Sequence, residues 1–231
     1  MNGYSKIVKK IRPSIAVVLS VDSKNNVIEK GSGFIFAKKG ILVTCNHVVS
    51  EEGSTSLIRF SDNEENILAK VVIRDEEHDL ALLKFDDNKR PPLKEANIQI
   101  VEEGMHVIFS GYPLDLLSLT THQGILSAII KDATGNSIYL IDGTVNSGNS
   151  GCPLMTQQGE VIGIVNAKRR EQASLLAQVE KMQTGAISIH GLDMINIYKA
   201  LIDNLQLGIG YAIPSAYIPK HQDPDIKRKG V

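Results

Sequence analysis

The chain has 231 residues, 42% of them hydrophobic, and its 25 basic and 26 acidic side chains leave a net charge of -1 and a pI near 6.6. That is enough apolar material for a full core, and strand-rich chains of this length commonly form one domain. Near-neutral charge, with no basic run before Lys227, Arg228 and Lys229, excludes the electrostatic footprint of a nucleic-acid binder. No metal-ligand spacing or nucleotide loop is present, so neither a metal nor a cofactor is expected.

The first apolar run, Ile15 to Val21, is too short to cross a bilayer and follows Lys9, Lys10, Arg12 and Pro13 without the cleavage site of a secretory leader. It reads as a first strand, and no membrane association is expected. From Ser14 to Val165, short runs of Val, Ile, Leu and Phe are punctuated by Gly, Asn, Asp and Pro, the pattern of many short strands joined by turns. Pro91 and Pro92, within the charged stretch 88–97, mark a crossing between a first strand unit, about 14–90, and a second, about 98–217. Residues 168–207 change period: Leu175, Leu176, Val179 and Met182, then Leu192, Ile195, Tyr198, Ile202 and Leu205, recur at helical spacing and predict a helical insertion. Residues 1–219 read as one domain, and the polar 220–231 as a linker or disordered tail. Two cysteines, Cys45 and Cys152, are too few for a disulfide-dense secreted scaffold and predict a reducing cytoplasm.

Chemistry concentrates in Asp142–Leu154, DGTVNSGNSGCPL, where Ser150 sits in a turn of small residues whose backbone N–H groups are free to face outward. Gly, Asn and Ser also cluster in ordinary turns, so this segment alone is a weak signal. Upstream, His47 ends the β-branched run LVTCNHVV, and Asp79 precedes the apolar stretch LALLKF. Acyl transfer to water needs a hydroxyl nucleophile, a base and donors for the developing oxyanion. Ser150, His47 and Asp79 supply the types, in the chain order of a chymotrypsin-type triad. Five other histidines, His78, His106, His122, His190 and His221, lack the TxxHVV frame, and Asp75, the nearest rival carboxylate, lacks the ALLKF that follows Asp79.

Eight segments stand in one order: GSGFIF (31–36), LVTCNHVV (42–49), DLALLKF (79–85), SGYP (110–113), GILSA (124–128), GNSGCPL (148–154), GEVIGIV (159–165) and GIGYAIPS (208–215). Over residues 6–217 the chain resembles the HtrA/Deg-like branch of trypsin-like serine proteases. The resemblance implies an all-β fold, two six-stranded antiparallel β-barrels with the helical insertion near 168–207. It implies a serine endopeptidase acting on protein or peptide substrates through His47, Asp79 and Ser150, with the N–H groups of Gly148 and Ser150 as oxyanion hole. The specificity pocket would be formed by Thr144, Asn166, Ala167, Lys168, Ile209 and Gly210. None of these is acidic, so cleavage after small or medium aliphatic residues is expected. The insertion leaves that pocket at Lys168 and returns near Gly208, so it is read either as a segment that regulates access or recruits a regulatory protein partner, or as a decorative surface hairpin.

Asn149 stands where zymogens of the trypsin type carry an Asp that pairs with a new N-terminal ammonium, so regulation is expected through loop ordering or a partner. Cys152 departs from the family, which has glycine at that place, and the expectation is that its sulfur approaches that of Cys45 behind the site as a free thiol. The PDZ domain that often follows in this branch is not expected within these residues. Trimers of that branch assemble through an aromatic N-terminal segment, for which Tyr4 is the one aromatic near the start, and the oligomeric state is left open. The competing reading is a catalytically silent, protease-like binding module.

Overall fold

Runs of β-branched and aliphatic residues form short strands wherever Gly, Pro, Asn or Asp interrupts them. The computed structural model describes residues 3–49, 54–63, 65–87, 89–114, 116–167, 188–189, 192–193, 195–196 and 208–220. The first six strands are β1 (Ile15–Val21), β2 (Val27–Ile35), β3 (Ile41–Cys45), β4 (Thr55–Phe60), β5 (Ile67–Asp75) and β6 (Leu80–Phe85). They close into an antiparallel barrel in the order β1-β2-β3-β6-β5-β4. The next five are β7 (His106–Gly111), β8 (Thr120–Lys131), β9 (Ser137–Asp142), β10 (Pro153–Thr156) and β11 (Val161–Val165). With β14 (Ile209–Pro214) they close a second barrel in the order β10-β11-β14-β9-β8-β7. The expected two six-stranded barrels are thus the fold.

Apolar side chains fill both barrels, and the first barrel's cluster runs on into Ile108, Met155, Val161, Ile164 and Ile213 of the second. Ile15, Phe34, Leu42, Ile58 and Leu80 fill the first, and Val107, Phe109, Leu126, Leu154 and Ile162 the second. The proline-marked crossing stitches the two together: Leu93 N donates to Ile35 O (2.8 Å), Ala96 N to Val161 O (2.9 Å) and Val161 N to Lys94 O (2.8 Å).

A helix that the strand pattern does not announce, α1 (Gly3–Ile11), precedes β1. Ile11 is buried and Tyr4 and Ile7 pack beside it, one face of the helix turned to the protein. Gly159 (φ +78) makes room, since a Cβ there would lie 3.1 Å from Ile7 and 3.3 Å from Ile11. The Tyr4 hydroxyl accepts from Gln157 Nε2 at 2.8 Å, so this aromatic is engaged by its own chain.

Within 168–207 the described residues are few. Ser188–Ile189 (β12) and Leu192–Asp193 (β13) pair as a two-stranded sheet, so Leu192, expected in a helix, is extended. The helical turn begins just after it, where Asp193 Oδ1 accepts from Ile195 N at 2.8 Å in the manner of a cap. The expected helix carrying Leu175, Leu176, Val179 and Met182 lies outside the described residues, as does 221–231. No described helix is long and apolar enough to cross a membrane.

Candidate active site

His47 stands on a 3-10 turn, Asn46–Val48, that follows β3, and Asp79 closes the turn 76–79 between β5 and β6. Asp79 holds φ at +55, a left-handed backbone that Asp tolerates better than branched residues. Its own contacts hold it there: the carbonyl accepts from Asn46 N and Oδ1 from His47 N, both at 2.9 Å. Oδ2 lies 2.6 Å from His47 Nδ1 and 2.8 Å from Asn166 Nδ2. A carboxylate only accepts, so Nδ1 carries the ring proton and Nε2 is left to accept from Ser150 Oγ, 2.9 Å away. The two barrels therefore meet in one hydrogen-bonded line, with His47 and Asp79 from the first and Ser150 from the second.

Ser150 lies in the loop between β9 and β10, shaped by Gly148 (φ +86) and Gly151 (φ +87). Neighbouring donors in this loop are used internally: Asn149 N to Asn146 O (3.0 Å), Gly151 N to Val165 O (2.8 Å) and Cys152 N to Asn149 O (3.0 Å). Among the described residues the N–H groups of Gly148 and Ser150 donate to no backbone acceptor. The first barrel steadies the loop through Ser32, whose Oγ donates to Gly148 O (2.7 Å) and whose N donates to Ser150 O (2.8 Å). Ser150 is 4% exposed, and Ala167 N donates to its Oγ at 3.1 Å.

The expected pocket residues separate into two groups. Thr144 follows β9, which pairs with the start of β14, setting Ile209 opposite Asp142 and Gly210 opposite Ile141. Thr144, Ile209 and Gly210 thus share one end of the second barrel, and Asn166 N donates to Tyr211 O (2.8 Å), which brings Ala167 to the same end. Asn166 also has a second role beside the one expected: its side chain is buried and its amide donates to Asp79. No local motif signals that role, because the contact joins residues 87 apart. Lys168 lies outside the described residues. Asp75, the rival carboxylate, bonds to His78 Nδ1 (2.8 Å) instead of to His47.

Asn149 is fully buried, and neither its amide N nor its amide O has a partner among the described residues. Such orphaned groups cost about 1–3 kcal/mol each. Cys45 and Cys152 are free and buried. They meet at Val165: Cys45 Sγ contacts its carbonyl at 3.4 Å, and its N–H donates to Cys152 O at 2.9 Å. Burial pushes both thiols up, that of Cys45 well up, with Asp79 and then Cys152 adding to the effect. Cys45, His47 and Asp79 bring three metal-ligating types within 4.8 Å of one another. The donor chemistry does not suit a resident metal, because His47 Nδ1 is already given to Asp79 and burial keeps the thiol protonated.

The model of the trypsin-like peptidase domain matches residues 31–164, more than half of the chain. The chain belongs to the trypsin-like peptidase family. Among relatives within that family, a protein of Lactobacillus helveticus named "Serine protease Do-like HtrA" is 35% identical over 205 residues, 82% of this chain and 49% of that one. A protein of Pseudomonas fluorescens named "Probable periplasmic serine endoprotease DegP-like" is 37% identical over 146 residues, 62% of this chain and 30% of its own length. A Rhizobium meliloti protein of the same name is 40% identical over 142 residues, 60% of this chain and 28% of its own. The chain thus spans half or less of these curated relatives. Among solved structures, the HtrA-type protease AlgW with tripeptide superposes with a TM-score of 0.67 at 25% identity, covering 92% of this chain and 60% of that one. The serine endoprotease from Yersinia pestis gives 0.65 at 25% identity, covering 94% and 64%.

Proposed function

We propose that residues 1–219 form a serine endopeptidase domain in which His47, Asp79 and Ser150 act as the triad. The observation that carries this is the unbroken line Asp79 Oδ2 to His47 Nδ1 at 2.6 Å and His47 Nε2 to Ser150 Oγ at 2.9 Å. In the reaction His47 takes the Ser150 proton as Oγ attacks the scissile carbonyl, and Asp79 stabilises the imidazolium that forms. The N–H groups of Gly148 and Ser150 receive the oxyanion, a contribution of about 3 kcal/mol per donor to the barrier. His47 then passes its proton to the leaving amine, and water repeats the cycle on the acyl-enzyme.

Substrate choice follows from the pocket. Thr144, Ala167, Ile209 and Gly210 offer no carboxylate, so small or medium aliphatic residues before the scissile bond are favoured over Lys or Arg. Regulation follows from the closed nucleophile: Ala167, whose N–H occupies Ser150 Oγ, is the residue from which the chain enters 168–207. A protein partner bound to that insertion would draw Ala167 away and open the site. The cytoplasmic compartment suggested by two cysteines stands as a proposal too. The periplasmic names of the relatives point the other way, and cell fractionation decides between them.

Fluorophosphonate labelling tests the reading. Label on the wild type and none on folded Ser150→Ala supports the peptidase. Absence of label with every candidate partner would leave the silent binding module. Label that rises with a partner, and fails to rise once residues 171–205 are replaced by a short Gly-Ser loop, supports activation through the insertion. A peptide-library profile dominated by Lys or Arg would refute the aliphatic preference.

A further inference from the structure

The turn that presents Asp79 is held by the opposite barrel. Asp75, at the end of β5, accepts from both the backbone N (3.0 Å) and the ring Nδ1 (2.8 Å) of His78, which fixes the imidazole against its own turn. A face of that ring lies on Tyr217, with centroids 4.3 Å apart and planes inclined by 17°. Tyr217 comes from the second barrel, on the 3-10 turn Ser215–Tyr217 after β14. It is anchored there, since its hydroxyl accepts from Ser137 N at 2.9 Å. A second strap runs from Asn136 Nδ2 to Glu77 Oε1 at 3.3 Å.

Asp79 is the next residue along. Its φ of +55 is less favoured than an extended or helical backbone, so the brace behind the turn acts alongside its own hydrogen bonds in setting where the carboxylate points. The second barrel grips it from two sides, through Asn166 on the carboxylate and through Tyr217 behind the turn. A satisfied surface histidine would need only its Asp75 bond. The flat, anchored aromatic laid across it adds a contact between residues 139 apart in the chain, bracing the turn from the second barrel.

We infer that His78 and Tyr217 are positioning residues for the His47–Asp79 pair, the stacked rings setting where Asp79 points; the catalytic consequence rests on the proposed peptidase function. The stack carries no proton and touches no substrate. It acts through Asp79 on the orientation of His47, and misplacement of about 1 Å in such a pair costs on the order of a hundredfold in rate.

Three proteins decide it, each as the full chain: wild type, Tyr217→Leu, which removes ring and hydroxyl, and Tyr217→Phe, which keeps the ring. For each, the melting temperature, the second-order rate of fluorophosphonate labelling and the low-field proton resonance of His47 Nδ1–H are measured, the last in histidine labelled with nitrogen-15. Expected for Tyr217→Leu is labelling slower by roughly ten- to a hundredfold and a low-field proton moved upfield. Tyr217→Phe should restore both towards wild type. If Tyr217→Leu does not fold, His78→Gln, which keeps a donor for Asp75 but loses the flat ring, takes its place under the same criteria. Wild-type rate and resonance in the Leu or Gln variant would overturn the inference, as would a Phe variant no better than Leu. A wild type that never labels would defeat the peptidase reading, while the proton resonance still scores the positioning role.

Discussion

Ser32→Ala removes one hydroxyl from the first barrel and should disable a loop in the second. Ser32 Oγ is buried, donates to Gly148 O at 2.7 Å and accepts from Tyr112 N at 2.9 Å. Alanine fits the space and leaves both backbone groups buried without a partner, at about 1–3 kcal/mol each. The sum, roughly 2–6 kcal/mol, is a large fraction of the about 5–15 kcal/mol that holds a domain folded. Part of that cost is relieved if the Gly148 carbonyl turns towards another donor, and the shift of the Gly148 Cα that this requires displaces the N–H on its other side. On the proposed oxyanion role, loss of that N–H as a donor lowers kcat by about 10²–10³-fold. Urea unfolding gives the stability change, and turnover of an activated peptide ester gives kcat and KM separately. The expected result is a lower urea midpoint, a fall in kcat of at least about tenfold, and a KM little changed. Wild-type kcat in a Ser32→Ala protein with its full loss of stability would refute the link between this hydroxyl and the oxyanion loop.

Gly151→Ala should be worse for folding than for any single chemical step. Its φ is +87, and a Cβ there runs into Ser32 O and Thr44 Oγ1, so thermal unfolding should fall by several degrees or the protein should not fold. Asn166→Ala should lower the melting temperature by a few degrees, since a buried hydrogen bond to a charged group is lost, and should lower kcat/KM by roughly 10–100-fold; unchanged kcat/KM would remove Asn166 from the support of Asp79. Cys45 and Cys152 should resist Ellman's reagent until the protein unfolds. Their folded pKa values lie above the unfolded value near 8.5, so stability should be flat below that pH and fall as pH rises above it, and a pH-independent urea midpoint from 8 to 10 would contradict this.

The barrels were readable because runs such as Ile15–Val21 and Leu80–Phe85 carry their burial in their own composition, and the turn residues between them mark each reversal. The residues of the candidate site were readable for a different reason: His47, Asp79 and Ser150 each sit in a short distinctive segment. What stayed hidden acts across the seam. Ser32 with Gly148, Asn166 with Asp79 and His78 with Tyr217 are pairs 116, 87 and 139 residues apart, and no local period or propensity records such a meeting. The helix α1 was missed because its lysines mask a narrow apolar face of Tyr4, Ile7 and Ile11, and its stability comes from packing around Gly159. In the insertion, Leu192 fits a helical spacing, yet pairing with Ile189 made it extended, and Asp193 started the helix one turn later than the period suggested.

Each barrel is closed on itself, β1 being paired by both β2 and β4, and β10 by both β11 and β7. Neither therefore ends in a row of idle peptide groups, the kind of border on which one polypeptide templates another. On the peptidase reading, this matters for a molecule that takes extended polypeptide into its cleft all the time. The strands of its two barrels offer no free edge to a growing aggregate, and backbone recognition falls to segments that leave the barrels, such as Asn166–Ala167 beside Ser150. Backbone capture of a client is then separated from the barrel ladders that hold the fold together, so binding need not open a strand pair.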